Sequence, residues 1–178
     1  MIFKPPVEEL YEGSNPLQPI KSATGYFLLG MLPEALEELD RLLPEREDSE
    51  EALSLRGSIY FGMEAWTELM KIASVLVKEC PEVSQYWIWL GHATRMLHWY
   101  AESEAVLNQA LVIHQFDPML YFCLACTAAQ QGEMLAARSR LISALALDVN
   151  VCFLAMVEPD LQPLWIDLEV ERQNSESQ

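Results

Sequence analysis

The residues with the most chemistry-like spacing in this sequence are Cys123 and Cys126, which form a Cys-x-x-Cys pair. Two thiols at this spacing can bind zinc or form a redox-active disulfide, given a second ligand pair or a suitable surrounding motif. Here the pair lies inside a segment whose pattern predicts a helix, with no second pair and no adjacent histidine. We therefore interpret both residues as buried, reduced thiols and predict no metal and no cofactor. A metal or redox role is the alternative.

Other residue types that support catalysis are present without the spacing that catalysis needs. The three histidines, His92, His98 and His114, share no metal-ligand spacing. Gly57-x-x-x-x-Gly62 lacks the lysine that follows the second glycine in a phosphate-binding loop. The carboxylates are scattered, as expected for a chain with a net charge of −16. We predict that the protein is not an enzyme.

Composition excludes several classes of partner. The chain has 178 residues, enough for one domain with a full core, and carries 27 acidic against 11 basic residues. This charge repels the phosphates of nucleic acids and of anionic membrane surfaces. The longest apolar run, residues 119–129, is shorter than the roughly 20 residues that span a bilayer. With no secretory signal pattern and four cysteines in a full-sized chain, we predict a cytoplasmic protein with no nucleic-acid partner and no membrane insertion.

The elements that would position any site follow a period of 34 residues. Small residues recur at this interval, and so do the bulky residues and the core positions of a second helix. Small residues allow two helices to approach closely, so the period predicts repeated pairs of helices. The small residues are Ala23, Gly57, Gly91 and Ala125; the second-helix positions are Ala35, Leu69, Ser103 and Ala137, then Leu39, Ala73, Leu107 and Leu141.

A 34-residue period of two helices is typical of the tetratricopeptide repeat, and the chain resembles that family over about residues 16–151. Arg56 and Ser22 depart from the pattern at apolar packing positions. Glu64 and His98 stand where a turn glycine is usual. The best-matching copies are the third, with Trp87, Leu90, Gly91, Tyr100 and Ala110, and the fourth, with Tyr121, Leu124, Ala125, Gly132, Ala137 and Ala144.

The resemblance implies an all-α, right-handed α–α superhelix of about four helix pairs with a C-terminal capping helix. The repeats would cover residues 16–49, 50–83, 84–117 and 118–151, followed by a cap over 152–168, all within one domain of residues 16–170. The ending at residues 158–165 resembles that of small stand-alone bacterial tetratricopeptide proteins. Residues 1–15 are expected to form an extended arm because prolines interrupt them, and residues 171–178 a disordered polar tail.

In this family the first helices of the repeats line a concave face, so the resemblance implies a peptide-binding groove there. Helical spacing independently places Gln85, Ile88 and His92 on one side of their helix and Trp87 and Gly91 on the other. The predicted groove residues are Ser54, Ser58, Phe61, Gln85, Ile88, His92, Arg95, Met96, Met119, Phe122, Cys126 and Gln130.

The predicted groove mixes apolar and neutral polar groups. It lacks the Lys, Asn and Arg set with which chaperone-binding members hold a C-terminal carboxylate, so we do not expect it to bind one. We predict instead an extended or helical apolar segment of another protein, with Arg95 as a polar contact. The anchors would be Ile88, Met96, Met119 and Phe122.

Several alternatives stay open at this stage. The exposed methionines and phenylalanines could pack between repeats instead. The chain could be a self-associating structural protein and form a homodimer through the arm or an apolar convex patch. It also resembles, generically, the three-repeat chaperones of type III secretion. The acidic connector Glu45–Glu51 is interpreted as a solvated linker, with contact to a basic partner as the alternative.

Overall fold

The structure, a computed structural model, describes residues 18–42 and 47–165. The predicted arm, the polar tail and part of the acidic connector lie outside these residues. Within the two described ranges the chain forms helices and turns and no strand. The chain divides into two compact units, one up to Glu64 and one from Ala65 onward, and each is described by itself. The single-domain organisation stays a prediction.

The first unit contains three helices within residues 18–42 and 47–64. Its helices are α1 (Gln18–Leu28), α2 (Leu32–Leu39) and α3 (Glu50–Gly62). Pro33 lies in the first turn of α2, where its missing N–H costs no helical hydrogen bond. The Ser49 side chain accepts a hydrogen bond from the backbone N–H of Ala52 at the start of α3. Arg56, at an apolar position of the repeat, donates to Asp40 at 2.8 Å. The core consists of Ile20, Ala23, Ala35, Leu39, Leu42, Ala52 and Ile59.

The second unit contains the single helix α4, the helix pairs α5–α6 and α7–α8, and a short ending. Each helix packs against its neighbours in the chain, and α5 and α7 also contact each other. The elements are α4 (Trp66–Glu79), α5 (Ser84–Met96), α6 (Tyr100–Ile113), α7 (Pro118–Gln130), α8 (Met134–Leu147), α9 (Val151–Val157) and a 3₁₀ turn (Pro159–Leu161).

The helix boundaries reproduce the 34-residue period. First helices begin at Glu50, Ser84 and Pro118, and second helices begin at Trp66, Tyr100 and Met134. Asp117 caps α7 by accepting from the backbone N–H of Met119 at 2.8 Å. The four second-helix positions Ala35, Leu69, Ser103 and Ala137 are fully buried. The predicted packing period is confirmed.

One close approach explains why a glycine stands in the middle of α5. A Cβ added at Gly91 would lie 2.5 Å from Leu107 Cδ2, and Leu107 is itself fully buried in α6. Ser103 reinforces the crossing, because its hydroxyl donates to the Gly91 carbonyl at 2.7 Å and lies 3.1 Å from the Thr127 hydroxyl. The close crossing of α5 and α6 therefore depends on the absence of a side chain at Gly91.

The turns after the first helices share a left-handed backbone residue, again at the 34-residue interval. Gly30 and Gly132 have φ of 74° and 79°, a region that glycine occupies freely. Glu64 and His98 take the same conformation at 55° and 63°, although side chains disfavour it. The turn geometry is thus kept where the glycine is absent.

The ending has the form predicted from the sequence. Helix α9 covers Val151–Val157, and the 3₁₀ turn packs against α7. Leu161 and Leu164 are buried, and the Trp165 indole donates to the Ala155 carbonyl at 3.1 Å. These residues cover apolar surface at the end of the last repeat.

Candidate functional site

Helices α5 and α7 bring most of the predicted groove residues of the second unit together. Gln85, Met96 and Gln130 are exposed, whereas Ile88, His92 and Met119 are half-buried. We call the surface formed by these six residues and Arg95 the α5–α7 face. It offers apolar and amide groups side by side on two helices that contact each other.

Arg95, on the last turn of α5, is the charged centre of this face and is 5% exposed. Its guanidinium forms an ion pair with Asp160 and lies 3.7 Å from a Glu158 carboxylate oxygen. Gln130 of α7 donates to the same Asp160 carboxylate. A segment of the chain itself, residues 158–161, therefore lies across α5 and α7 and holds its acid against Arg95.

Phe122 and Cys126 are buried rather than exposed on a groove, in contrast to the open positions expected for them. The physical reason is that α7, the helix that carries both residues, is covered on several sides: α5, α6, α8 and the 3₁₀ turn all pack against it. In this structure Arg95, Phe122 and Cys126 are closed to a partner. Their role as binding residues stays a prediction.

His92 lies beside Arg95, whose positive charge helps to lower the pKa of the imidazole. Arg95 donates to the His92 Nδ1 at 3.2 Å, and the Trp66 ring meets the imidazole edge-on with centroids 5.1 Å apart. Burial, together with the Arg95 charge, lowers the pKa of His92 to about 4. The imidazole is therefore neutral at pH 7, with Nδ1 as the acceptor.

A chain of polar side chains continues from Asp160 along the edge of the face. The His98 ring lies 2.7 Å from the Tyr100 hydroxyl, which in turn donates to Gln130 at 3.2 Å. A cavity of about 110 Å³ lies here, lined by Arg95, Met96, His98, Tyr100, Gln130 and Asp160.

The groove residues predicted in the first unit lie on α3. Ser54 and Ser58 are half-buried, and the Ser58 hydroxyl donates to the Ser54 carbonyl at 3.0 Å, one turn earlier in the helix. Phe61 is exposed at the end of the same helix. Their participation in binding stays a prediction.

The Cys-x-x-Cys pair lies within α7 as two buried, unpaired thiols. Burial raises the pKa of Cys123 to about 12 and raises the pKa of Cys126 further. Both thiols are therefore protonated and shielded from solvent. The interpretation of these residues as buried thiols is confirmed, and Cys80 and Cys152 are half-buried.

The remaining tryptophan and histidine candidates have packing contacts. Trp87 and Trp89 are buried, and the Trp87 indole donates to the Pro81 carbonyl at 2.9 Å. The His114 Nε2 lies 2.9 Å from the same oxygen. Across residues 18–42 and 47–165, no group of three or more His, Cys, Asp or Glu side chains could hold a metal ion. No helix in the described ranges is long and apolar enough to cross a membrane.

Asp160, Glu158 and Tyr100 contact residues of the α5–α7 face, and the sequence analysis did not predict these contacts. Asp160 and Glu158 appear in the sequence only as polar residues of the cap. An arginine on the inner side of a largely apolar helix signals that a carboxylate must reach it. That signal does not say which of 27 acids does so.

Comparison with known proteins finds likeness in structure. No protein-family model and no curated protein matches the sequence. MamA from Desulfovibrio magneticus RS-1 superposes with a TM-score of 0.71 at 13% identity, over 79% of this chain and 80% of that chain. MamA from MSR-1 gives 0.69 at 17% identity, over 80% and 83%. A thermophilic TPR protein from Thermus thermophilus, TTC0263, gives 0.66 at 19% identity, over 86% and 83%.

These likenesses cover most of the chain and agree with the helix boundaries described above. The chain has the tetratricopeptide-repeat fold. The predicted fold class is therefore confirmed, with α5 and α6 forming one tetratricopeptide helix pair and α7 and α8 the next. At these identities the likeness extends to the fold and not to what the proteins bind.

Proposed function

We propose that this tetratricopeptide-repeat protein is a non-catalytic interaction module that binds a peptide or helical segment of another protein on the α5–α7 face. It would act as an adaptor or chaperone-like protein in the cytoplasm. One observation carries the proposal: residues 158–161 already lie across α5 and α7, held by Arg95 and Gln130. A face that holds a short segment of its own chain has the chemistry to hold another.

The accessible part of the face suits an amphipathic segment. Ile88, Met96 and Met119 offer partly exposed apolar surface, and methionine adapts its shape to different partners. Gln85 offers an exposed amide, which can donate to and accept from the backbone of an extended segment. These properties support protein binding more than small-molecule chemistry.

The electrostatics of the face also argue against catalysis. His92 is neutral but half-buried, and its Nδ1 already accepts from Arg95. The two thiols of α7 are protonated, and a protonated thiol is a poor nucleophile. We accordingly propose no reaction, no cofactor and no nucleic-acid partner.

Site-specific photo-crosslinking in the source cell tests the proposal. A photoreactive amino acid replaces Gln85, which is exposed on the α5–α7 face, and in a matched variant Leu135, which is 86% exposed on α8. We expect a protein partner to be crosslinked from position 85 and not from position 135. Mass spectrometry identifies the partner, whose binding is then measured with purified proteins.

The purified complex gives the decisive comparison. An Ile88→Glu/Met119→Glu variant should weaken binding by at least about tenfold, because it places charges among the apolar contacts of the face. A Leu135→Glu variant should bind as the wild type does, and circular dichroism checks that both variants are folded. Equal binding by the two variants, or crosslinks from position 135 alone, would reject the α5–α7 face as the site.

Self-association is a second candidate, favoured by one apolar patch. Val112, Ile113 and Phe116 are 83%, 52% and 74% exposed at the end of α6 and in the following turn. Neighbouring exposed apolar side chains of this size often mark an interface. Sedimentation of the purified protein decides this candidate: a dimer that a Val112→Glu/Phe116→Glu variant abolishes supports it, and a monomeric wild type rejects it. A secretion chaperone remains a narrower form of the first proposal, since its client would also occupy the α5–α7 face.

A further inference from the structure

We infer that Arg95 is a carboxylate-recognition site that the chain's own Asp160 occupies, and that the partner competes with the ending for it. The partner segment would carry an acidic side chain followed directly by leucine and, three residues later, by a second leucine. This inference rests on the proposed function and specifies the chemistry of the partner at the same face.

Arg95 requires a carboxylate whenever the ending or a partner covers it. Its guanidinium is always charged and is 5% exposed, so leaving it without a negative partner is unfavourable. Asp160 and Glu158 provide that charge here. Exchange of one carboxylate for another preserves the ion pair, so a partner acid can replace Asp160 without the penalty of a bare buried charge.

The ion pair with Asp160 leaves one N–H group of the Arg95 guanidinium without a hydrogen bond. Asp160 and Glu158 both approach Nη1, whereas the buried Arg95 Nε has no hydrogen-bond partner among the described residues. An arginine fork binds a carboxylate best through two parallel N–H groups. The cavity of about 110 Å³ that adjoins Arg95 and Asp160 provides space at the edge of this site. A partner carboxylate that accepts from Nε and Nη2 would form the two parallel hydrogen bonds that Asp160, at Nη1, does not form.

The residues around Asp160 define what accompanies the acid. Leu161 and Leu164 are buried beside it, while Gln162 and Pro163 between them are exposed. A competitor must fill the space of both leucines, because vacated apolar pockets are unfavourable. The chain's own ending therefore serves as a template for the partner: an acid, a leucine, two unconstrained residues and a leucine.

A peptide copied from the ending provides the probe. The labelled, C-terminally amidated peptide Val-Glu-Pro-Asp-Leu-Gln-Pro-Leu-Trp reproduces residues 157–165. Its binding is measured by fluorescence anisotropy to the full-length wild type and to the full-length Asp160→Asn variant. The matched peptide carries Asn in place of its single Asp, which removes the charge and keeps the shape.

We expect the Asp160→Asn protein to bind the acidic peptide about tenfold more tightly than the wild type does. In the wild type only molecules with a released ending can bind the peptide, and the apparent Kd is the intrinsic Kd divided by the fraction of such molecules. The Asn peptide should bind at least about fivefold more weakly than the Asp peptide. Equal affinities for the two peptides, or no binding of the acidic peptide by the folded Asp160→Asn variant, would overturn the inference.

A second variant keeps the test decisive if Asp160→Asn fails to fold. The Trp165 indole donates to the Ala155 carbonyl at 3.1 Å, so Trp165→Ala loosens the ending and leaves Arg95, Gln130 and the peptide unchanged. It should tighten binding of the acidic peptide by about twofold to threefold, and unchanged affinity would reject the inference. Crosslinking from Gln85 to a partner that lacks an acidic-leucine segment would leave the proposed function standing while this inference fails.

Discussion

At the scale of single residues, His92 and Arg95 make the α5–α7 face sensitive to acid. The folded state holds the pKa of His92 at about 4, against 6.5 for an unperturbed histidine. Between these values the unfolded chain binds a proton that the folded chain does not. Stability from this histidine is therefore complete above pH 6.5 and decreases as the pH falls towards 4.

We predict that the free energy of unfolding falls by up to about 3 kcal/mol between pH 6.5 and pH 4 through this one group. The carboxylates add their own pH dependence, so the measurement is a difference between wild type and His92→Gln. The glutamine oxygen can still accept from Arg95 but does not titrate in this range. Urea unfolding at several pH values should show the two curves diverging below pH 6.5, and parallel curves would contradict the prediction.

The thiols allow a second prediction at this scale. Cys123 and Cys126 should resist alkylation at pH 8 in the folded protein, because they are buried and the pKa of Cys123 is raised to about 12. The thiolate is the reactive form, and an increase of about three pKa units lowers its population by roughly a thousandfold. Half-buried Cys80 and Cys152 are the internal controls and should react first. Rapid labelling of Cys126 by mass spectrometry would revive a redox role.

The burial of packing residues could be predicted from the sequence better than the exposure of the predicted groove residues. Trp87 and Cys123 are buried as expected, because period and helix context determine their packing. Phe122 has the same spacing as exposed residues of a first helix, yet it is buried. The ending that packs against its helix is distant in sequence and follows no repeat pattern, so nothing local to Phe122 signals it.

At the scale of elements, the crossing of α5 and α6 depends on Gly91. Gly91→Ala should lower stability by about 1–2 kcal/mol, because the added Cβ would lie 2.5 Å from a buried Leu107 atom. The strain outweighs the gain in helix propensity, which is about 1 kcal/mol. Gly25→Ala in α1 is the matched control, since nothing lies within 4 Å of its added Cβ. The control should be neutral or stabilising; equal effects of both substitutions on thermal unfolding would refute the close-packing argument.

The turn at Glu64 gives a prediction of the opposite sign. Glu64→Gly should raise stability by about 0.5–1 kcal/mol, because the residue has a φ of 55°, which a side chain disfavours. Gly132→Ala, at the equivalent position with a φ of 79°, should lower stability by a similar amount. Denaturant midpoints of the two variants should move in opposite directions, and a destabilised Glu64→Gly protein would show that the glutamate side chain compensates for the strain.

The positions of the helices could be predicted from the sequence better than the side-chain contacts of the α5–α7 face. The helices start at intervals of 34 because the same packing problem recurs in each copy, and a repeated problem leaves a repeated sequence. Glu64 and His98 keep the left-handed turn conformation without a glycine, and at His98 the packed helices α5 and α6 on either side impose it. The pairing of Arg95 with Asp160 occurs once and therefore leaves no period to detect.

At the scale of the whole molecule, the net charge of −16 acts against the folded chain through self-repulsion. Increasing NaCl from 0.01 to 0.1 M shortens the screening length from about 30 Å to about 10 Å. We predict that the melting temperature rises by a few degrees over this range. A Glu37→Gln/Glu51→Gln variant, which removes two exposed negative charges, should show a smaller rise. A melting temperature that is independent of salt would contradict this account.

The ion pair between Arg95 and Asp160 has a consequence for the order in which the protein forms. Helix contacts within each unit are made mainly between neighbours in the chain, and such local contacts form early during folding. Helices α6 to α9 lie between Arg95 and Asp160 in the sequence. A ribosome therefore produces the arginine well before the acid that covers it. On a nascent chain, α5 and α6 can already be packed while Arg95 is open to other carboxylates. A partner synthesised nearby would then meet an unoccupied face without first having to displace the ending.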